Sequence, residues 1–410
     1  MGLNLKQKGE SKVRIILVAG KGGVGKTTSA AATGLAAARH GHRTLVLSFD
    51  LAHSLSDSFN LDEGLWAKHR GQPVQVAENL EIQEIDVQEE LERQWADVYR
   101  FSAALFAGGG LDEVVAEEVA IMPGMEDIVA LIRLNEYVSQ NRYDVIVLDC
   151  PPTSEALRFV SITASIDWYV RRRLKMDRQL AKFVRPWATK LSETARLTIP
   201  DDDYFNTLEQ LFARLNGVDE LLRNPSITTV RLVTNPEKMV IRETQRAFMY
   251  FCMYSITTDL VIINRLLPQG KGYFENWAKS QAEYSEEIVS HFAPVPTARV
   301  PLMASEVVGL EKLEKLSQIL YADKDPAAFL VNAPSYGFSK QGEGEYRLQI
   351  RLPFAPTDQL EVSRAHEDLL VRIGTFKRNI LLPRAIIPLK TIGAAIESNT
   401  LVVRFAKEVS

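Results

Sequence analysis

The chain is expected to fold as a doubly wound, mostly parallel α/β sheet with helical insertions, followed by a small all-β sandwich. Three observations predict this. Short apolar runs at residues 13–19, 44–49, 143–148, 230–234 and 260–263 alternate with helical patterns, as βα units do. Two long stretches, about residues 87–132 and 165–222, are helical in pattern and exceed a minimal α/β domain. Beyond residue 337 the pattern turns into short alternating runs about ten residues apart, with turn residues between them.

The first strand, residues 13–19, runs into Gly20-Lys21-Gly22-Gly23-Val24-Gly25-Lys26-Thr27-Thr28, and residues 29–40 read as the next helix. This is the context of a phosphate-binding loop. Glycines let backbone N–H groups close around phosphates, and the helix N-terminus adds positive potential. Lys26 reaches the β and γ phosphates, and Thr27 ligates Mg²⁺. A nucleoside triphosphate site is therefore expected at Gly20–Thr28.

The second strand ends at Asp50, the third at Asp149, and the run 260–263 at Asn264. Ligands of open α/β sheets sit at the carboxyl ends of strands. Phosphoryl transfer to water needs charge neutralisation, a metal and a positioned water. Asp50 is the candidate for orienting the attacking water. Asp149 is the candidate for holding Mg²⁺, directly or through water.

In the first helical stretch Phe101, Leu105, Phe106, Val114, Val115 and Met122 lie among acids. The second carries a basic run, Arg171-Arg172-Arg173, and Lys175. The apolar residues read either as the core of a helical layer or as a binding groove, and the basic run as a solvated face. An Asp-Pro step, Asn332-Ala333-Pro334 and Gly337 mark a linker. The expected domains are 12–320, a linker at 321–337, and a sandwich at 338–410. The sandwich strands are read at 346–352, 359–363, 368–373, 376–382 and 400–405. No acids, histidines or cysteines cluster there, so no catalytic role is expected of it.

Composition excludes several classes. Length of 410 residues predicts two or three domains. Net charge of −4 argues against nucleic acid as a partner, which usually needs a basic face. No run of about 18 apolar residues occurs, so no membrane span is expected. The first eleven residues are polar with no apolar segment, unlike a secretory signal, and Glu10 counts against a transit peptide. Two cysteines without a CxxC fit a reducing compartment and a buried, unpaired state.

The residues resemble one family. KGGVGKTT resembles the deviant Walker A loop of the MinD, ParA, nitrogenase iron-protein and arsenite-pump class. That resemblance implies ATP, with Lys21 reaching the nucleotide of a partner subunit across a homodimer. The segment from Asp50 to Phe59 resembles the switch I motif DPAHNLSDAF of arsenite-pump and tail-anchored-protein-targeting ATPases. The segment from Asp149 to Phe159 resembles their switch II, DTAPTGHTLRF. Pro123-Gly124-Met125-Glu126-Asp127 is similar to a PG-x-E/D-E segment of their helical insertion. Ile263-Asn264-Arg265, Val300-Pro301-Leu302 and Glu306-Val307-Val308-Gly309-Leu310 resemble their adenine-side elements. By this resemblance Asp50 positions water, Thr27 and Asp149 serve Mg²⁺, and Asn264 and Pro301 border adenine. Gly374-Thr375-Phe376-Lys377-Arg378-Asn379-Ile380-Leu381-Leu382-Pro383 resembles the GxFxRxFxLP signature of α-crystallin domains. The combination resembles a bacterial and plastid branch of the family, so the cytoplasm, or a plastid stroma for a plant-type homologue, is the expected location.

Departures narrow what the resemblance implies. Leu51 replaces a switch I proline, and Ser154 and Glu155 replace Gly-His in switch II. Residues 266–273 lack the cysteine pair with which the eukaryotic targeting factors share zinc, so no zinc is expected. One ATPase unit is present, without a cysteine triad for metalloid or an I-x-I tail. Three roles stay open: a dimer that handles a hydrophobic client, an energy-coupling subunit for anion or arsenite efflux needing a membrane partner, and a partition-type scaffold switched by ATP. The sandwich reads equally as a chaperone module or as a spacer.

Overall fold

A computed structural model describes residues 13–49, 54–61, 71–85, 125–172, 174–188, 202–270, 272–331 and 335–407. An eight-stranded sheet dominates the first three-quarters of the chain. Its strands are β1 (Arg14–Gly20), β2 (Thr44–Ser48), β3 (Val74–Ala77), β4 (Leu80–Glu84), β5 (Val145–Asp149), β6 (Thr228–Thr234), β7 (Thr257–Leu266) and β8 (Thr297–Pro301). The order is β3-β4-β2-β5-β1-β6-β7-β8, with every pair parallel except β3 and β4. From β1 the chain winds outward to β2 on one side and later to β6 on the other. The carboxyl end of β1 is thus the topological switch point where ligands bind.

The central strands are buried on both faces, which is why they read as continuous apolar runs. Alternate residues of β1 serve two cores. Ile15, Leu17 and Ala19 join one, and Ile16 and Val18 the other. The second core holds helix α1 (Lys26–Arg39), α2 (Ser54–Ser58) and the last helix of this unit, α10 (Leu310–Tyr321). Gly34 lets α1 lie against the sheet, since a Cβ there would overlap the Val46 side chain. The opposite layer is made by α3 (Met125–Ser139), α4 (Thr153–Arg172), α5 (Leu174–Ala188), α6 (Asp202–Arg214), α7 (Val218–Arg223), α8 (Lys238–Met253) and α9 (Glu275–Phe292).

A buried charge network closes the amino-terminal edge of the sheet. Asp259 of β7 accepts from Arg14 of β1 at 2.9 Å and from Arg231 of β6 at 3.3 Å. Arg231 also donates to Tyr321 at the end of α10 and to the carbonyl of Pro326, and Arg14 donates to that of Ala327. Burial pushes Arg14 down to about 10, against the pull of Asp259. Two guanidinium groups depend on one carboxylate. Asp259→Ala is expected to cost about 3–5 kcal/mol of stability, because it strands buried charge. A urea titration measures it.

The remaining unit is all antiparallel. A four-stranded sheet, β14 (Lys390–Glu397), β15 (Thr400–Ala406), β10 (Glu345–Arg351) and β9 (Tyr336–Gly342), accompanies a three-stranded one, β11 (Leu360–Ala365), β12 (Asp368–Ile373) and β13 (Phe376–Leu381). Leu348, Ile350, Val371, Ile380, Val403 and Phe405 form a shared core, which also takes in Met249 and Met253 of α8. Arg378 of β13 is buried and donates to the carbonyl of Met253, and its guanidinium lies 4.5 Å from the Tyr336 ring centroid. Tyr250 and Phe376 rings meet at 4.1 Å. The sandwich is therefore docked on the carboxyl end of α8.

Several boundaries differ from expectation. Tyr336 and Gly337, assigned to the linker, already belong to β9, where Gly337 is extended and faces Gln349. The helical stretches reach beyond 132 and begin before 165, because α3 and α4 are each continuous through those positions. Strands β3, β4, β8, β9 and β14 went unread. The apolar residues at 101, 105, 106, 114, 115 and 122 lie outside the described residues. Cys150 and Cys252 are both free and buried.

Candidate nucleotide site

The loop between β1 and α1 forms one wall of a cavity of about 800 Å³ at the carboxyl end of the sheet. Gly22, Gly23, Gly25, Lys26, Thr27 and Thr28 line it. Gly20 closes β1 so near the carbonyl of Val233 that a Cβ has no room. Gly25 holds φ +97° and precedes Lys26, the first residue of α1. The open space above Gly22 and Gly23 is a cradle of backbone that no side chain fills.

Lys26 is buried under the loop, its ammonium 3.5 Å from the carbonyl of Lys21. Lys21 itself turns away. It lines a separate hollow with Glu237, Met239, Trp277 and Tyr284, and lies 3.9 Å from Glu243. Two lysines of one loop therefore serve opposite sides. Val24 is buried, and its carbonyl accepts from the Asn264 side chain at 2.8 Å. Asn264, expected beside adenine, lines the cavity and also anchors the loop. Pro301 lines the far wall, with Leu302, Val307 and Val308.

Asp149 ends β5, fully enclosed, and accepts from Ser48 at 3.3 Å. The Thr27 and Ser54 hydroxyls are 3.3 Å apart at the cavity. Asp50 lies outside the described residues, two positions after Ser48. Thr27 and Ser54 line the cavity, whereas the enclosed Asp149 is not among its lining residues. Among the described residues no three His, Cys, Asp or Glu side chains gather as a metal site.

The segment from Asp149 to Phe159 is joined to the helical layer. Arg158 on α4 donates to the buried Asp127 on α3 at 2.8 Å, linking two motifs that are separate in sequence. Phe49 stacks on Phe159 at 4.5 Å, which ties the end of β2 to the same helix. Pro152, just before α4, lines the cavity. Sequence reasoning missed Asp57 and Ser58 as lining residues, and Glu84, whose carboxylate accepts from the amides of Leu55 and Ser56. An acid closing a short strand at the ligand end of the sheet was the available signal for Glu84.

The model of the anion-transporting ATPase family matches residues 13–322. The chain belongs to that family. A second model, an HSP20-like domain found in ArsA, matches residues 343–405. A family member of Aquifex aeolicus, provisionally named arsenical pump-driving ATPase 1, is 43% identical over 397 residues, covering 95% of this chain and 99% of the relative. One from Chlorobaculum tepidum, provisionally named an arsenical pump-driving ATPase, is 35% identical over 398 residues, covering 97% and 96%. A protein named ATPase get3 in Pyrenophora tritici-repentis is 28% identical over 318 residues, covering 76% of this chain and 92% of the relative. No described helix is long and apolar enough to cross a membrane.

Proposed function

We propose that this chain hydrolyses ATP as a homodimer with nucleotide at the interface, and that nucleotide state controls the binding of a hydrophobic client such as a membrane-protein segment. The observation that carries the client reading is the outward apolar face of α5. Met176, Leu180, Phe183 and Val184 recur at helical spacing and are 65%, 62%, 74% and 40% exposed. An amphipathic helix normally turns such a stripe to the core. Here the stripe faces outward, and the polar side of the helix is ion-paired to its neighbour. Arg178 bonds Asp202 at 2.9 Å and Lys182 bonds it at 3.2 Å, both onto α6. Helix α4, of 20 residues and about 30 Å, runs from the cavity at Pro152 toward α5, so a switch at the phosphates has a rigid element to move.

In the proposed reaction the loop amides and Lys26 hold the phosphates. Thr27 and, through water, Asp149 would hold Mg²⁺, which supplies charge neutralisation at the β and γ oxygens. Asp50 orients the attacking water and accepts its proton. Lys21 of one protomer stabilises charge on the other's nucleotide, as an arginine finger does. Its outward direction supports this role, as does the exposed apolar surface of Met239 and Trp277 beside it. Energy coupling to efflux is the second reading, favoured by the names of two relatives. Both cysteines here are buried, which leaves no exposed thiol for a metalloid.

The test replaces Met176, Leu180 and Phe183 together by serine and measures co-purification of an apolar helical segment. The expected result is unchanged thermal stability, because these side chains are exposed, with capture lost by about tenfold or more, as removal of several buried anchors predicts. Undiminished capture would remove α5 from the client site.

A further inference from the structure

We propose that Glu84 is a positioning residue for ATP hydrolysis, holding the short helix α2 and its Ser54 hydroxyl against Thr27 in the nucleotide cavity; this rests on the ATPase reading above. Helix α2 has five residues, Ser54–Ser58, little more than one turn. Such a helix does not persist without outside support. Hydrogen bonds from other elements fix it. Glu84 Oε1 accepts from the amides of Leu55 and Ser56, each at 2.9 Å. The Ser54 and Thr27 hydroxyls lie 3.3 Å apart. The Ser58 carbonyl accepts from the Gly309 amide at 2.9 Å, at the start of α10. Within α2, Ser58 Oγ closes the turn onto the Ser54 carbonyl at 3.0 Å.

The sheet fixes Glu84 itself. It ends β4 opposite Ser48 of β2, and Ser48 stands opposite Asp149 of β5. The three strand ends form one row, with Glu84 2% exposed. A buried carboxylate is costly unless it is hydrogen-bonded. Here two amide donors at a helix start supply the bonds, and negative charge suits that end of a helix. Both bonds go to the helix that carries the cavity residues Ser54, Asp57 and Ser58. An ordinary strand-end residue could fill this space without capping that helix. The geometry thus has Glu84 place α2 against the loop that carries Thr27.

The test compares the full chain with Glu84→Gln, Glu84→Asp, Ser54→Ala and the double variant Glu84→Gln/Ser54→Ala. Steady-state ATP turnover and binding of a fluorescent ATP analogue are measured, and thermal midpoints show which variants fold. Glutamine keeps the shape but loses the charge, and aspartate keeps the charge but is one methylene short. For either, kcat is expected to fall about 10- to 100-fold while nucleotide Kd stays within about threefold, as misplacement of a positioning element predicts. The double variant is expected to be no slower than its slower parent, because both changes act through α2. Wild-type kcat in a folded Glu84→Gln overturns the proposal. So does an additive loss in the double variant, or a loss of affinity as large as the loss of turnover. If Glu84→Gln does not fold, Glu84→Asp takes its place in the same comparisons. A wild-type chain that hydrolyses no ATP removes the ATPase reading, and this inference with it.

Discussion

Asp50→Asn is expected to leave ATP bound and unhydrolysed. In the proposed mechanism the loop amides and Lys26 hold the phosphates, and the substitution touches none of them, so affinity should stay near that of the wild type. An amide cannot accept the proton of the attacking water. Loss of a general base costs about 10²–10⁴ in rate. The reading comes from the chain's order: Asp50 follows β2, and Ser48 of β2 bonds Asp149 at 3.3 Å. Single-turnover hydrolysis of bound ATP measures the loss. Turnover at the wild-type rate would take Asp50 out of the mechanism.

Lys21→Ala carries the second large effect. The Lys21 side chain lies in the hollow with Glu237 and Trp277, on the outer side of the loop. It is therefore expected to act on a partner's nucleotide and not on its own. Removing such a charge costs about 10³ or more in kcat, with ATP affinity retained. Mixing separates trans from cis action. A Lys26→Ala protomer cannot hold ATP but still presents Lys21, whereas a Lys21→Ala protomer holds ATP and lacks the reaching charge. Activity that returns when the two inactive variants are mixed supports action across the interface. Activity that stays absent in demonstrated mixed dimers would place Lys21 in cis.

The central fold was legible because burial on both faces makes a strand one apolar run. Strand β1, with all seven residues buried, is such a case. Four of the missed strands lie at edges, and β4 is the strand next to one. Strand β3 is half exposed and pairs antiparallel with β4 across Asn79 at φ 58°. Strand β8 is polar and ends in Pro301, and β14 is broken by a bulge near Gly393. Strands β8 and β14 show neither a run nor a clean alternation, and β3 and β4 have only four and five residues. The phosphate loop was legible because its strand, glycines and helix are contiguous in sequence. Glu84 was not, because its meaning depends on the register of β4 with β2 and on a helix about thirty residues earlier. The direction of Lys21 and Lys26 was also hidden, since both occupy one loop. Amphipathic spacing could mark the stripe on α5, but its outward direction shows only in the exposure of Met176, Leu180 and Phe183.

The Asp50→Asn chain also gives the most direct measurement. Loaded with ATP, with ADP or with no nucleotide, it is mixed with an apolar helical segment fused to a soluble carrier, and the captured fraction is measured. Capture is expected to differ at least several-fold between the ATP and ADP states, and the difference to vanish when Met176, Leu180 and Phe183 are serine. Equal capture in all three states, or none, would contradict a client site controlled by nucleotide.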